Sequence, residues 1–250
     1  MSFHDWLYSV YPENSVINGR WGTLHIITVV LCVLIIGAIW CFNKKSLKTR
    51  QNIIIILASL ILLLEVSRRI INLTRTGYDF QNITNLLGTL LPRPWCAISC
   101  WTVMLASIVR KRRLYNLACM CALLNAIIFF AYPSVGFNHN VILFENLYSI
   151  ATHALLLISS ISMMSLELTD FSVNKKVFCE ALGLVLMFIY AFIEIYLMKI
   201  EKDPMYFMTG NDVQAFLGVD YKAYLVIYVG FLAVYFSLFY IVQGIIKKIK

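Results

Sequence analysis

A cysteine follows a pair of prolines in the run Leu91-Pro92-Arg93-Pro94-Trp95-Cys96. Proline removes an amide donor and clashes with the preceding helical turn, so the pair predicts a helix that is broken at Pro92–Pro94 and starts anew near Pro94. Cys96 then lies in the first turn of the new helix, where unpaired amides, the positive end of the helix dipole and the charge of Arg93 favour a reactive thiolate. Cys96 is therefore a candidate nucleophile for acyl transfer, with the same amides as donors to the oxyanion. The alternative is a packing kink that carries an inert cysteine.

Other ionisable side chains lie in stretches that are otherwise apolar, and inside a membrane such groups usually face the protein interior and mark a functional site. Glu65 stands three residues before Arg68 and four before Arg69, a spacing that places them on one helix face and predicts an internal salt bridge. The two alternatives are that this salt bridge only neutralises the charges of its own residues, or that it orders a pocket. Glu145 and His153 are eight residues apart and also share a helix face. His153 is either a structural hydrogen-bond partner or a catalytic base.

The composition indicates what kind of scaffold must hold these residues. Of the 250 residues, 60% are hydrophobic and 14% are charged, and the mean hydropathy is +0.78, whereas soluble domains are roughly 45–50% apolar with about 25% charged residues. A soluble domain, a disordered chain, a fibrous repeat and a disulfide scaffold are excluded, so the chain is predicted to be a polytopic membrane protein. The sequence contains no phosphate-binding glycine loop, serine elbow or nucleotide fingerprint, and no cysteine or histidine pattern typical of a metal site. We therefore expect no cofactor, no metal and no ATP-driven pump.

Seven stretches have the length and apolarity of transmembrane helices, for which about 20 mostly apolar residues cross a hydrocarbon core of roughly 30 Å. They predict an all-α bundle of seven transmembrane helices: Leu24–Phe42, Ile53–Thr74, Leu87–Val109, Leu114–Ala131, Val141–Leu166, Val177–Met198 and Tyr221–Ile245. Together they form a membrane domain over residues 24–245. An outer interfacial N-terminal segment, residues 1–23, precedes this domain, and a basic cytoplasmic tail, residues 246–250, follows it.

Lysine and arginine residues predict the orientation, because they accumulate in cytoplasmic loops. The connections after the first, third and fifth stretches, together with the tail after the seventh, carry 13 of them, and the opposite side carries 5. The N-terminus is therefore predicted outside and the C-terminus inside. The net charge of +8 then reflects this topology and contact with anionic lipid, so nucleic acid is not expected as a partner.

Two segments on the predicted outer side have features of their own. Residues 1–23 carry acidic residues and Pro12 before the first apolar run, which is not typical of a signal peptide. Apolar positions in this segment follow a helical stripe, so it is either an interfacial helix or a loose tail. In the polar connection Lys199–Asp220, residues 205–208 are too apolar for a free loop and predict a lid that dips back towards the bilayer.

Several residues, taken in chain order, together resemble a known membrane-protein family. They are Gly22-Thr-Leu-His25, Glu65 with Arg68-Arg69, Leu91-Pro92, Cys96-Ala-Ile-Ser99, Arg113 with Tyr115, Pro133, His153-Ala-Leu-Leu, Met205-Tyr206 and Leu217-Gly218. From Gly22 to Tyr235 the chain resembles the YwaF-type integral membrane proteins, bacterial relatives of the eukaryotic transmembrane acyltransferase that remodels ether phospholipids. The resemblance implies seven spans, a place in a bacterial cell membrane, and acyl transfer through a cysteine, here Cys96. Members of that family often carry a histidine two positions before the cysteine, where this chain has Pro94, so the resemblance leaves His153, or else His25, as the base.

Three classes of function are compatible with the sequence. The first is a membrane-embedded lipid acyltransferase or lipid hydrolase that acts on membrane lipids through catalytic Cys96 and His153. Substrate binding or pocket ordering then falls to Glu65, Arg68, Arg69, Arg93, Glu145 and His25. The second is a transporter or a ligand-binding membrane receptor, because buried ionisable groups and a discontinuous helix also build polar sites near the midplane of a membrane. The third is a structural or assembly protein of the membrane.

Overall fold

The computed structural model of the protein describes residues 3–8, 21–92, 95–131, 137, 143–173, 177–198 and 212–249. Throughout these ranges the regular elements are α-helices, which confirms the predicted all-α class. They are α1 (Phe3–Tyr8), α2 (Thr23–Trp40), α3 (Leu47–Thr74), α4 (Ile83–Leu90), α5 (Trp95–Val109), α6 (Arg112–Ala131), α7 (Phe144–Ser165), α8 (Val177–Tyr196), α9 (Asp212–Leu217) and α10 (Tyr221–Ile249). Most predicted stretches end within a few residues of a helix end. Apolar stretches predict helices because, in lipid, a helix satisfies every backbone polar group within one segment.

Among the described residues, five helices are long and apolar enough to cross a membrane: α2, α6, α7, α8 and α10. Two further helices correspond to the second and third predicted stretches. Of these, α3 has 28 residues and includes Glu65, Arg68 and Arg69, and α5 has 15 residues. The helices therefore confirm an all-helical membrane protein with five candidate spans. The count of seven spans and the orientation stay predictions.

The third predicted stretch is divided into two helices, as its prolines predict. Helix α4 ends at Leu90 and α5 begins at Trp95, and Leu91 has an extended backbone (φ −74°, ψ 152°), the conformation favoured before a proline. Arg93 and Pro94, which lie within the predicted break, are outside the described residues. At 1.5 Å per residue α5 is about 22 Å long, shorter than the hydrocarbon core of about 30 Å. A helix of this length that reaches one membrane surface must begin inside the membrane.

Helix α6 lies at the centre of the bundle and packs against α5, α7 and α8. Small side chains line its middle, and the fully buried ones are Ala118, Cys119, Cys121, Ala122 and Ala126. Small residues let neighbouring helices approach closely, and such packing drives the association of helices in lipid. Helix α3 packs against α5 and α7, and α2 packs against α7. Helices α3, α5, α6 and α7 therefore form the core of the bundle.

A polar network fastens α8 and α10 to this core near the start of α6. Asn116 donates from Nδ2 to Glu180 Oε1 on α8 (2.7 Å) and to the carbonyl of Asp170 (2.7 Å). Arg113 Nη1 lies 2.9 Å from the same Glu180 oxygen, so this buried acid is paired with a cation, as buried charges must be. Gln243 of α10 donates from Nε2 to Asp170 Oδ1 (2.9 Å), which attaches the last helix.

The predicted interfacial segment is helical over α1. Trp6 packs edge-on against the ring of Phe144 in α7 (5.7 Å between centroids), and the Tyr8 hydroxyl lies 3.1 Å from Thr74 Oγ1 at the end of α3. Helix α1 is therefore docked on the ends of two core helices, so over these residues the segment is a packed helix, while its place at the membrane interface stays a prediction.

The structure describes the other predicted segments only in part. Helix α10 continues to Ile249, so most of the predicted basic tail, residues 246–250, belongs to a helix. Residues 9–20 and the predicted lid at residues 205–208 lie outside the described part of the chain.

Candidate functional site

Glu65 is the centre of a polar cluster inside the bundle. Its side chain is fully buried, and its carboxylate accepts hydrogen bonds from Arg69, one turn further along α3, and from the Tyr148 hydroxyl of α7. Arg68 Nη2 lies 3.9 Å from the same carboxylate. The predicted salt bridge is therefore present, and these partners offset the cost of burying a charge away from water. We call Glu65, Arg68, Arg69 and Tyr148 the carboxylate cluster.

Arg69 connects the carboxylate cluster to the interrupted third stretch. Its Nε donates to the carbonyl of Leu90 (3.0 Å), and its Nη2 lies 3.4 Å from the carbonyl of Leu91. These carbonyls lie where α4 ends, so no following helical amide bonds to them. The donors of a guanidinium form a fork, and here the fork bonds the acid on one side and the helix-end carbonyls on the other. The pairing of Glu65 with Arg69 thus also holds the helix break in place.

Replacing Arg69 by lysine should separate these two roles. Arg69→Lys keeps a cation beside Glu65 but loses the fork that reaches Leu90 and Leu91. We expect a loss of about 1–3 kcal/mol from the free energy of unfolding, because part-buried carbonyls lose hydrogen bonds from a charged donor. Unfolding of the purified protein in detergent micelles measures this loss. Arg75→Lys, at the C-cap of the same helix, is the matched control, and an equal loss in both variants would contradict the proposed role.

Cys96 lies in the first turn of a helix, as predicted, because it is the second residue of α5. The residue is partly buried, and its thiol interacts electrostatically with Arg68 and Glu65, and with the backbone amides of Cys96 itself and Ala97. Cys100, one turn further along, is fully buried and interacts with the same acid. The thiol and the carboxylate cluster therefore share one region between α3, α5 and α7. An anion formed on Cys96 has a cation and free helix-start amides beside it.

Aromatic rings flank the two arginines of this region. The guanidinium carbon of Arg68 lies 5.1 Å from the centroid of the Tyr148 ring, and that of Arg69 lies 5.7 Å from the centroid of Trp101. Both distances are those of cation–π contacts, which stabilise a cation that has lost part of its water. Tyr148 is the site residue that the sequence analysis missed. The one signal for it in the sequence is its position in the fifth predicted stretch, directly before Ser149 and between Glu145 and His153.

The two candidate histidines, His25 and His153, lie in a cluster of aromatic rings and not beside Glu65. His153 donates from Nδ1 to the carbonyl of Ser149 (2.7 Å), and its ring stacks on Phe129 of α6 with 3.9 Å between centroids and 5° between planes. His25 is buried among the rings of Trp21, Phe130 and Phe137, at centroid distances of 4.7, 5.9 and 4.8 Å. In the described part of the chain, no hydrogen bond joins either imidazole to Cys96.

The faces of α7 explain why thiol and imidazole are not in contact. Tyr148 and His153 are five residues apart, hence about 140° around the helix, so α7 presents the phenol to Glu65 and the imidazole to α6. Asn125 of α6 donates to Ser99 Oγ of α5 (2.7 Å). Phe129 lies one turn beyond Asn125 in α6, and Cys96 lies nearly one turn before Ser99 in α5. Because α5 and α6 form an antiparallel pair, Phe129 and Cys96 lie at the same depth. The ring stacked on His153 thus lies level with the thiol.

Two further predicted site residues are not part of this cluster. Glu145 is exposed in the first turn of α7, so the prediction that it shares an inward face with His153 is not met. A carboxylate in that turn is stabilised by the helix dipole without any pocket. Arg93 is outside the described residues, so its predicted place beside Cys96 stays a prediction.

The helices and their buried, paired charges define the class of the protein, which is an all-helical membrane protein with a polar site inside its bundle. Residues 20–240 match the TMEM164 family. Because this match covers most of the chain, the protein belongs to the TMEM164 family, a family of transmembrane proteins. No curated protein and no solved structure matches the chain significantly. Membership confirms the membrane class, while the YwaF-type relationship and the acyltransferase activity that it implies stay predictions.

Proposed function

We propose that the protein is a membrane-embedded enzyme that transfers or hydrolyses the acyl chains of membrane lipids through Cys96. One observation carries this proposal: the thiol lies in the first turn of a helix that begins inside the bundle, beside free amides, Arg68 and the buried Glu65. We also propose that α2, α3, α4 with α5, α6, α7, α8 and α10 make seven crossings of a bacterial cell membrane, with the N-terminus outside.

The proposed reaction has two halves that share an acyl-enzyme. In the first, the Cys96 sulfur attacks the carbonyl carbon of a lipid acyl ester while a base takes the thiol proton. The ester C–O bond then breaks, the proton passes to the departing alcohol oxygen, and an acyl thioester remains on Cys96. In the second, a hydroxyl of an acceptor lipid or a water molecule attacks the thioester, the C–S bond breaks, and the proton returns to the sulfur. An acceptor lipid makes the enzyme a transferase, and water makes it a hydrolase.

The start of α5 supplies the electrostatic part of this chemistry. The amides of Cys96 and Ala97 have no helical carbonyl before them, so they are available as donors to the oxyanion of each tetrahedral intermediate. Arg68 offers a cation to the phosphate of a phospholipid headgroup. Arg69 positions the amides, because it bonds the carbonyls at which α4 ends.

His153 is the proposed base, and Glu65 is the second candidate. With Nδ1 donating to Ser149, the neutral His153 ring keeps Nε2 as an acceptor, but among the described residues no hydrogen bond joins this ring to Cys96, so its use as the base requires a rearrangement. Glu65 is a candidate because its carboxylate lies in the same region between α3, α5 and α7 as the thiol, but it must release a hydrogen bond from Arg69 or Tyr148 before it can accept the thiol proton. The enclosed His25 is assigned a packing role in this scheme.

A lipid-like probe tests this function directly. We expect a phospholipid analogue with a thiol-reactive chloroacetamide on its acyl chain to modify Cys96 selectively. The reason is that an enzyme with the proposed function binds an acyl chain beside an activated thiol. Mass spectrometry of the intact, detergent-purified protein measures the rate. His153→Asn should slow capture at least tenfold if His153 is the base, and Glu65→Gln should do so if Glu65 is.

Exposed cysteines provide the control for this labelling. Cys41 and Cys179 are exposed. A water-soluble maleimide should therefore modify each of them at the same rate in every folded variant as in the wild-type protein. Capture of Cys96 by the probe no faster than capture of Cys41 would overturn the enzyme proposal.

A transporter or ligand-binding receptor is the second candidate function. The observation that favours it is the buried Glu65–Arg69 pair at an interrupted helix, an arrangement that ion and substrate sites in membranes also use. In that case Cys96 is a packing residue, and uptake of a charged solute into vesicles depends on Glu65 while the Cys96→Ala variant transports normally.

A further inference from the structure

A cavity of about 250 Å³ opens at the end of the bundle far from the carboxylate cluster. Gln51, at the beginning of α3, lines it, and Gln51 lies 14 residues before Glu65, about 21 Å along the helix. The cavity is therefore separate from the proposed catalytic site. Its polar lining consists of Gln51, Arg110, Lys111, Arg112, Tyr115 and Glu167, and we call it the basic cavity.

The charge of the basic cavity favours an anion. Among the described residues that line it, Arg110, Lys111 and Arg112 are cations and Glu167 is the one carboxylate. Nη1 of Arg112 also lies 4.0 Å from Asp170 Oδ2, so the surplus positive charge rests on Arg110 and Lys111. The carboxylate of Glu167 lies 3.5 Å from Nη1 of Arg50, which offsets its negative charge. Arg110 and Glu167 both have left-handed backbones, with φ of 55° and 56°, the conformation in which helices commonly end, so the ends of α5 and α7 shape this part of the cavity wall.

The backbone of α6 adds to this preference. Lys111 and Arg112 lie at the start of the 20-residue helix α6, where the first amides have no intrahelical partner. The carbonyl of Lys111 already accepts from the amides of Leu114 and Tyr115, so a regular helix begins there. The positive end of that helix dipole therefore lies at the wall of the basic cavity, where a phosphate group is stabilised.

Tyr115 supplies an observation that is independent of charge. Its side chain is 1% exposed, and its buried hydroxyl has no hydrogen-bond partner among the described residues, although buried hydroxyls normally have one. Tyr115 lines the basic cavity, and its hydroxyl interacts electrostatically with Arg110. A ligand oxygen in the cavity would satisfy this donor.

We propose that the basic cavity binds the phosphate group of an anionic membrane lipid. Its volume lies below the roughly 300–1,000 Å³ of pockets that enclose a whole drug-sized ligand, so a headgroup fits while the acyl chains stay in the bilayer. The cavity also lies where the lysines and arginines of the chain predict the cytoplasmic surface, at which anionic lipids are enriched. A free phosphate ion shares this chemistry, and the experiment separates the two sources.

The test is a lipid titration of the full chain in phosphatidylcholine micelles. Dioctanoyl-phosphatidylglycerol should raise the unfolding temperature in a saturable way, whereas added dioctanoyl-phosphatidylcholine should not. The double variant Arg110→Gln/Lys111→Gln should raise the apparent Kd for phosphatidylglycerol at least tenfold, because it removes two charge-assisted contacts. Tyr115→Phe should raise it about fivefold through loss of one hydrogen bond and should leave the unfolding temperature without added lipid unchanged.

A matched charge variant separates a site from general attraction. Lys44 and Lys45 are exposed in the loop after α2, on the same predicted side, so Lys44→Gln/Lys45→Gln removes equal charge outside the cavity and should change the Kd less than twofold. Equal weakening by both double variants would overturn the proposal. A full shift produced by inorganic phosphate alone would overturn the lipid as occupant in favour of a soluble phosphate.

Discussion

Replacing Cys96 by alanine should abolish acyl transfer or hydrolysis by the purified protein, with a loss of at least about 10³-fold in rate. Without a nucleophile no acyl-enzyme forms, and the oxyanion donors and binding contacts that remain account for only a small part of catalysis. The measurement is exchange or release of a labelled acyl chain from phospholipid vesicles that contain the reconstituted protein. In the wild-type protein, mass spectrometry should also detect the acyl thioester on the peptide that carries Cys96.

The neighbouring Cys100 gives the control for this result. It lies one helical turn from Cys96 and is fully buried, so Cys100→Ala removes a thiol of the same helix without removing the proposed nucleophile. We expect Cys100→Ala to retain most of the turnover. Full activity in Cys96→Ala together with a loss in Cys100→Ala would refute the assignment of the nucleophile.

Replacing Glu65 by alanine should destabilise the protein by about 3–5 kcal/mol, the usual effect of removing one partner of a buried charge pair. Arg69 is buried and Arg68 lies near the same carboxylate, so the variant leaves both cations without their acid. Glu65→Gln should cost less, because its amide oxygen still accepts from Arg69 and from the Tyr148 hydroxyl. Equilibrium unfolding in detergent micelles measures both changes.

An exposed acid of the same type is the control for Glu65. Glu145 is exposed at the start of α7, and Glu145→Ala should leave the unfolding transition close to that of the wild type. Equal, small effects of Glu65→Ala and Glu145→Ala would mean that the carboxylate cluster does not hold α3 against α7 and the break before α5.

Local patterns in the sequence predict much of this structure. The apolar runs predict the helices, the prolines before Trp95 predict the division of the third stretch, and the spacing of Glu65 and Arg69 predicts their salt bridge. Each of these features depends on residues within about one or two turns of each other, where helical geometry fixes the neighbours. The start of α5 at Trp95 likewise agrees with the prediction that a new helix begins near Pro94.

Contacts between distant helices could not be predicted in the same way. Nothing local to Tyr148 indicates that its hydroxyl donates to Glu65, because that contact depends on how α7 is rotated against α3. The same rotation turns His153 towards Phe129 and exposes Glu145. The attachment of Arg69 to the carbonyls of Leu90 and Leu91 also depends on tertiary packing, since 21 and 22 residues separate these partners.

The peripheral place of α10 has a consequence for biosynthesis. Within Tyr221–Ile245 the buried residues are Tyr224 and Leu232. The hydroxyl of Tyr235 and the amide of Gln243 are among the groups that tie this helix to the rest. The ribosome makes α10 after the four core helices, and nascent chains fold in the order of synthesis. The insertion machinery can therefore release α3, α5, α6 and α7 as an assembled unit, to which α10 is added from the surrounding lipid.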